Sequence, residues 1–204
     1  MIFLENKTLS NLAGIFFISG FSALIYQVCW QRLLFTGFGV DLTSITVVVS
    51  VFMLGLGAGA FYGGRIADKF NSKIILIFSL MEFFIGFFGL ISRELILTLQ
   101  DLFVYSNMIQ IAFLSFILLF FPTFLMGSTL PLLTNFFNKY IDNIGEAIGV
   151  LYFFNTLGAA FGALVTGFIL FNYMGVSSVI FLAAFLNISI SVFVFIKYRE
   201  YNEK

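Results

Sequence analysis

Residues 54–73 read LGLGAGAFYGGRIADKFNSK. The stretch is the end of an apolar helix ridged with glycine, running into a short basic loop. Gly55, Gly59 and Gly63 recur every fourth residue, so they stack on one helix face and let a second helix approach closely. Arg65, Lys69 and Lys73 then cluster around Asp68. An excess of positive charge beside an apolar span marks one side of a membrane.

The rest of the chain agrees with that reading. Of its 204 residues 61% are hydrophobic and only 10% charged, against roughly 25% charged in an ordinary soluble domain. So little polar surface cannot cover a globule in water, and the lipid bilayer is the expected surrounding. A net charge of zero gives no footprint for nucleic acid. There is no histidine, and Cys29 is the only cysteine, which leaves no disulfide, zinc or haem spacing. No cofactor is implied. A nucleophile with its base, a pair of catalytic carboxylates and a phosphate-cradling loop are all missing from the sequence. The apolar run after residue 10 lacks a small-residue cleavage site and reads as a retained helix.

An all-α bundle follows. Six segments reach the about 20 residues a membrane helix needs, near 11–37, 43–64, 73–92, 109–135, 146–171 and 177–197. Pro122 and Pro131 predict a kink in the fourth, with Ser128 and Thr129 placed to satisfy carbonyls that Pro131 frees. Residues 93–107 are too polar to span and read as an amphipathic helix lying at the interface. With the N-terminus inside, Lys7, Arg65, Lys69, Lys73, Lys139, Lys197, Arg199 and Lys204 fall on the inner side. That is eight of the ten basic residues, so both termini are expected in the cytoplasm of a cell whose inner membrane holds the chain. No hydrophilic domain and no clear internal repeat is visible, though two three-helix halves are compatible with the pattern.

Polar side chains inside a span are costly and each asks for a reason. In the first helix Tyr26 and Trp30 share one face, and Gln27 and Gln31 the next, with Arg32 beyond them. An interfacial anchor accounts for Trp30 and Arg32, and a lining role accounts better for Gln27. Glu82 is the one carboxylate deep in a span. Counted from the outer helix ends, it and Arg32 differ by about 7.5 Å of rise, which long side chains can bridge. An Arg32–Glu82 pair is therefore expected, and a neutral Glu82 bonded to a neighbouring helix is the alternative. In the fifth helix Gly158 and Gly162 form a packing groove below Asn155, itself an interhelix bond or a ligand contact.

Two resemblances rest on these residues. Gly64-Arg65-Ile66-Ala67-Asp68-Lys69-Phe70, closed by Lys73, resembles the cytoplasmic loop between helices two and three of the major facilitator superfamily, with Asn71 and Ser72 where a glycine and a basic residue are expected. Residues 19–34, 55–68, Glu82, 122–133 and 149–168, in that order, resemble the membrane domain of the fused spermidine synthase-like proteins. That resemblance implies a six-helix bundle like one half of a facilitator, followed in the family by a soluble aminopropyltransferase-like domain. Gln27 stands where a Glu is common, and the sequence reaches Lys204 without that domain. Two functions are expected from it. One is a non-catalytic membrane module that anchors or docks a separate soluble aminopropyltransferase-like partner. The other is a half-size transporter working as a homodimer on a small, polyamine-like cation. By analogy with facilitator halves, the homodimer would meet through the glycine faces of helices two and five.

Overall fold

The computed structural model describes residues 7–38, 41–102, 107–137 and 144–198. Lys139, Arg199, Lys204 and the side chain of Lys7 lie outside the described set. Six long helices carry the fold: α1 (Lys7–Phe38), α2 (Asp41–Lys69), α3 (Ile74–Leu102), α4 (Met108–Phe137), α5 (Ile144–Val165) and α6 (Val176–Tyr198). There is no strand among the described residues. All six are long and apolar enough to cross a membrane. The all-α expectation holds, and the chain is a multi-pass membrane protein.

Two boundaries differ from the sequence reading. Gly64, Arg65, Asp68 and Lys69 are helical, the last two turns of α2 and not a loop. The chain turns only at Phe70, whose φ of −118° and ψ of 41° leave the helical region before a tight turn at Asn71–Lys73. The separate interfacial helix at 93–107 is not formed as such. α3 runs unbroken through Arg93 to Leu102, because no glycine or proline interrupts it there. Ser92 Oγ donates to the Gly89 carbonyl within the same helix, and Ile96 continues the buried face. Residues 103–106 of that expected helix lie outside the described ones.

α4 is continuous across both prolines. Its hydroxyls bond carbonyls near those the prolines free. Thr123 Oγ1 donates to Leu119 and Phe120, and Ser128 Oγ to Phe124, where Pro131 itself would free Gly127. α5 is extended by a π turn at Thr166–Leu170 and a final turn at Phe171–Tyr173, a widening the apolar run did not announce. Met174 then becomes extended and α6 begins.

The main pairings are α2 with α4, α1 with α5 and α3 with α6. Exchanging the first three helices for the last three turns α1–α5 into α4–α2 and leaves α3–α6 unchanged. A three-helix repeat is therefore present, and with an odd number of helices its two copies run in opposite directions through the membrane. The contacts follow the same rule. A Cβ added to Gly20 of α1 would overlap the Asn155 carbonyl of α5, and one added to Gly127 of α4 would overlap the Leu56 carbonyl of α2.

The glycine rows do their work inside this bundle. Gly55, Gly59 and Gly63 face Thr123, Phe124, Ser128 and Pro131 of α4, and Gly158 and Gly162 lie under the Phe17 and Phe21 carbonyls of α1. Ser128 Oγ also donates across to the Gly59 carbonyl at 3.0 Å. The expected use of these rows as a contact between two copies is overturned, because α4 and α1 already occupy them.

Gly57 is the internal control, since a Cβ there meets nothing within 4 Å. Gly59→Leu is expected to cost at least the about 1–3 kcal/mol typical of overpacking, while Gly57→Leu leaves stability unchanged. Thermal unfolding of the two variants in detergent, followed by monodisperse fraction on a sizing column, checks this. Equal survival of both would remove the α2–α4 contact.

Candidate functional site

Each helix of the bundle carries apolar side chains above and below a thin polar level. One buried cluster gathers Tyr26, Trp30, Phe52, Phe88 and Ile180, and the other gathers Phe16, Phe78, Phe136, Leu151 and Tyr198. Between them, on α1, α3 and α6, stand Ser19, Glu82 and Asn187, all buried. Ser19 Oγ donates to Glu82 Oε1 at 2.7 Å, and Asn187 Nδ2 donates to Oε2 at 2.6 Å. Both carboxyl oxygens are thus met by neutral donors from two other helices. Satisfying both is what makes a fully buried carboxyl tolerable at this depth.

Ser19 and Asn187 also form part of the wall of a small pocket of about 60 Å³. Its other walls include Gly20 and Ala23 of α1, Leu56 of α2, Thr129 of α4 and Asn155 of α5. Asn155 Nδ2 donates to the Phe16 carbonyl at 3.3 Å and ties α5 to α1. Asn187 Oδ1 has no hydrogen-bond partner among the described residues. The pocket is large enough for a water or two, whose share of liquid volume is about 30 Å³ each.

The expected Arg32–Glu82 pair is not formed. Arg32 is exposed and its guanidinium lies 4.6 Å from the centre of the Phe171 ring in the last turn after α5. Glu82 is level with Ser19, and from Ser19 to Arg32 is about 20 Å of helix rise. The count from the outer ends went astray because α3 continues ten residues past Ser92, which moves Glu82 deeper. No cationic side chain pairs with Glu82 among the described residues.

Trp30 is fully buried and not an interfacial anchor. Its Nε1 donates to Ser92 Oγ at 3.0 Å, and its ring stacks on Tyr26 at 5.1 Å. Gly89 leaves room for the Tyr26 ring against α3. Tyr26 and Trp30 therefore belong to the apolar cluster beyond Glu82, and Gln27 beside them is half-buried. At the other end of the bundle Arg65 lies over the Phe61 ring at 4.2 Å and Lys69 over Phe70 at 5.4 Å, with Asp68 exposed. Of the sequence candidates, only Glu82 and Asn155 reach the polar level. Ser19 and Asn187 were missed, although Asn187 is the lone amide of the last helix, and Thr129 was read only as a partner for a proline-freed carbonyl. No cluster among the described residues could hold a metal ion.

A paired-helix bundle with an inverted repeat and a polar level at mid-depth has a counterpart among known families. The sequence profile of the Major Facilitator Superfamily matches residues 12–204. The chain belongs to that superfamily. No curated protein and no solved structure matches it. The six helices are accordingly a facilitator-like half bundle, a transporter-like membrane module.

Glu82→Leu strands the Ser19 hydroxyl and the Asn187 amide, and is expected to cost about 1–3 kcal/mol. Adding Asn187→Leu should recover part of that loss. Glu82→Gln and Arg32→Gln should act additively. Unfolding in mixed micelles across these cycles tests the assignment, and coupling of Glu82 to Arg32 without coupling to Asn187 would reverse it.

Proposed function

We propose that this six-helix unit forms one wall of a pathway for a small solute across the membrane, with the mid-depth pocket as its contact point. The observation that carries the reading is the Ser19–Glu82–Asn187 group behind that pocket, in a chain of the Major Facilitator Superfamily. Polar groups held in a bilayer at this cost are functional by default. Ser19 and Asn187 separate the carboxyl from the pocket by one layer of side chains, so a cationic, polyamine-like solute is the favoured class. One wall needs a second, and a second copy of the chain is the partner we favour. With the glycine rows occupied, such a copy would meet the exposed outer rows of α2 and α5, among them Met53, Phe61, Phe153 and Phe161.

The distribution of basic residues supports an orientation with both termini and the Arg65–Lys73 turn in the cytoplasm, in the inner membrane. The same end exposes Arg65, Lys69, Lys73 and Lys197. That exposed basic end and the motif order shared with the fused spermidine synthase-like proteins favour a second reading. In it the unit is a non-catalytic dock for a soluble aminopropyltransferase-like partner.

Uptake of labelled spermidine into proteoliposomes separates the two. Glu82→Gln, which removes the charge behind the pocket wall, should lower the rate by about tenfold, with the variant still folded. Rates equal to those of empty vesicles for the wild type would remove transport of this solute. Capture of a synthase-like protein with the intact membrane complex would then support docking.

A further inference from the structure

On the outside of the bundle, away from the mid-depth pocket, a groove of about 450 Å³ runs between the first half of α1 and the second half of α6. Its floor and sides are Asn11, Gly14, Ile15 and Ile18 of α1 against Leu186 and Phe193 of α6. The register is antiparallel. The two polar residues of its α1 side, Ser10 and Asn11, stand at the helix start, level with Phe193 near the end of α6. Gly14 is what opens it, because a Cβ there would meet nothing within 4 Å. One turn past Phe193, Lys197 is exposed and its ammonium sits 5.0 Å from the Phe193 ring centre.

We propose that this groove seats one acyl chain of an anionic phospholipid, with its phosphate held at Lys197. Length decides between a lipid and a partner helix. From Ser10 to Ile18 is about 12 Å of rise, close to one leaflet, or half of a hydrocarbon core about 30 Å thick. A crossing helix would need a groove through both leaflets. Polarity agrees, since the groove passes from a basic and amide-bearing end, past the single hydroxyl of Ser189, to an apolar end at Ile18 and Leu186, the profile of a lipid from headgroup to chain. The ammonium over an aromatic ring keeps the charge at the mouth of the groove.

Brominated lipids test the assignment on the full chain in phosphatidylcholine vesicles, because bromine on an acyl chain quenches a tryptophan in contact with it. Trp30 is buried and supplies a constant background. Ile18→Trp places a reporter in the groove, and Phe84→Trp places one on the exposed face of α3. The expected result is that Ile18→Trp is half-quenched by brominated phosphatidylglycerol at a mole fraction about fivefold lower than by brominated phosphatidylcholine, the preference one basic residue at the surface provides. Phe84→Trp should show no preference. Adding Lys197→Gln should erase the preference at Ile18→Trp, and Gly14→Leu, which fills the groove without touching the fold, should reduce quenching there. Equal response to both lipids at the two reporters would overturn the proposal, as would a preference that survives Lys197→Gln. Ile18→Trp that no brominated lipid quenches, while Phe84→Trp is quenched, would show the groove covered by protein and overturn it as well.

Discussion

The bundle depends on one buried carboxyl being met on both oxygens. Glu82 is fully buried at mid-span, where an unsatisfied carboxylate costs several kcal/mol. Ser19 from α1 and Asn187 from α6 meet it, so three helices are locked at one depth by two short hydrogen bonds. Each fixes the sliding register of a helix that apolar packing alone would leave free, because lipid tails and leucines offer one another little preference. The apolar clusters on either side are consistent with this. Trp30 and Phe88 pack above the polar level and Phe78 and Tyr198 below it, with half-buried Leu125 of α4 touching both clusters.

The second constraint is backbone proximity. Where Gly59 meets the Phe124 carbonyl and Gly158 the Phe17 carbonyl, there is no side chain between the helices at all. These two contacts occupy equivalent places in the inverted repeat, as do Glu82 and Asn187 on the self-paired helices α3 and α6. The repeat is thus expressed in where chains touch and not in shared residue identities. Leu56 and Asn155, for example, differ in side-chain chemistry, yet each sets its carbonyl over a glycine of the partner helix.

This explains how much could be read in advance. The six spans follow from length and apolarity, and the glycine spacing correctly marks close-packed faces. It does not say which helix fills them, because a GxxxG-like row specifies a close approach and not a partner. The end of α3 was misplaced for a related reason. Arg93 and Glu94 read as a water-facing boundary, but they form an exposed ion pair on the side of a continuing helix, at little energetic cost. That single error in length displaced Glu82 relative to Arg32 and produced a pair the structure does not form. Ser19 and Asn187 were passed over because a lone Ser or Asn in an apolar run has no pattern until its partner on another helix is known. The π turn after Val165 likewise leaves no trace in hydropathy.

The glycine contacts have a mechanical consequence. Where backbone rests on backbone no rotamer can yield, so α2 with α4 and α1 with α5 behave as two stiff planks. α4 and α5 touch only lightly and α1 meets α2 somewhat more, so the two planks are joined chiefly through α3 and α6, and the line between them is a thinly packed seam. The pocket walled by Ala23 and Asn155 from one plank and Leu56 and Thr129 from the other straddles that seam. Its size is therefore set by the spacing of the planks, so a tilt between them would change the pocket before it changed the contacts inside either plank.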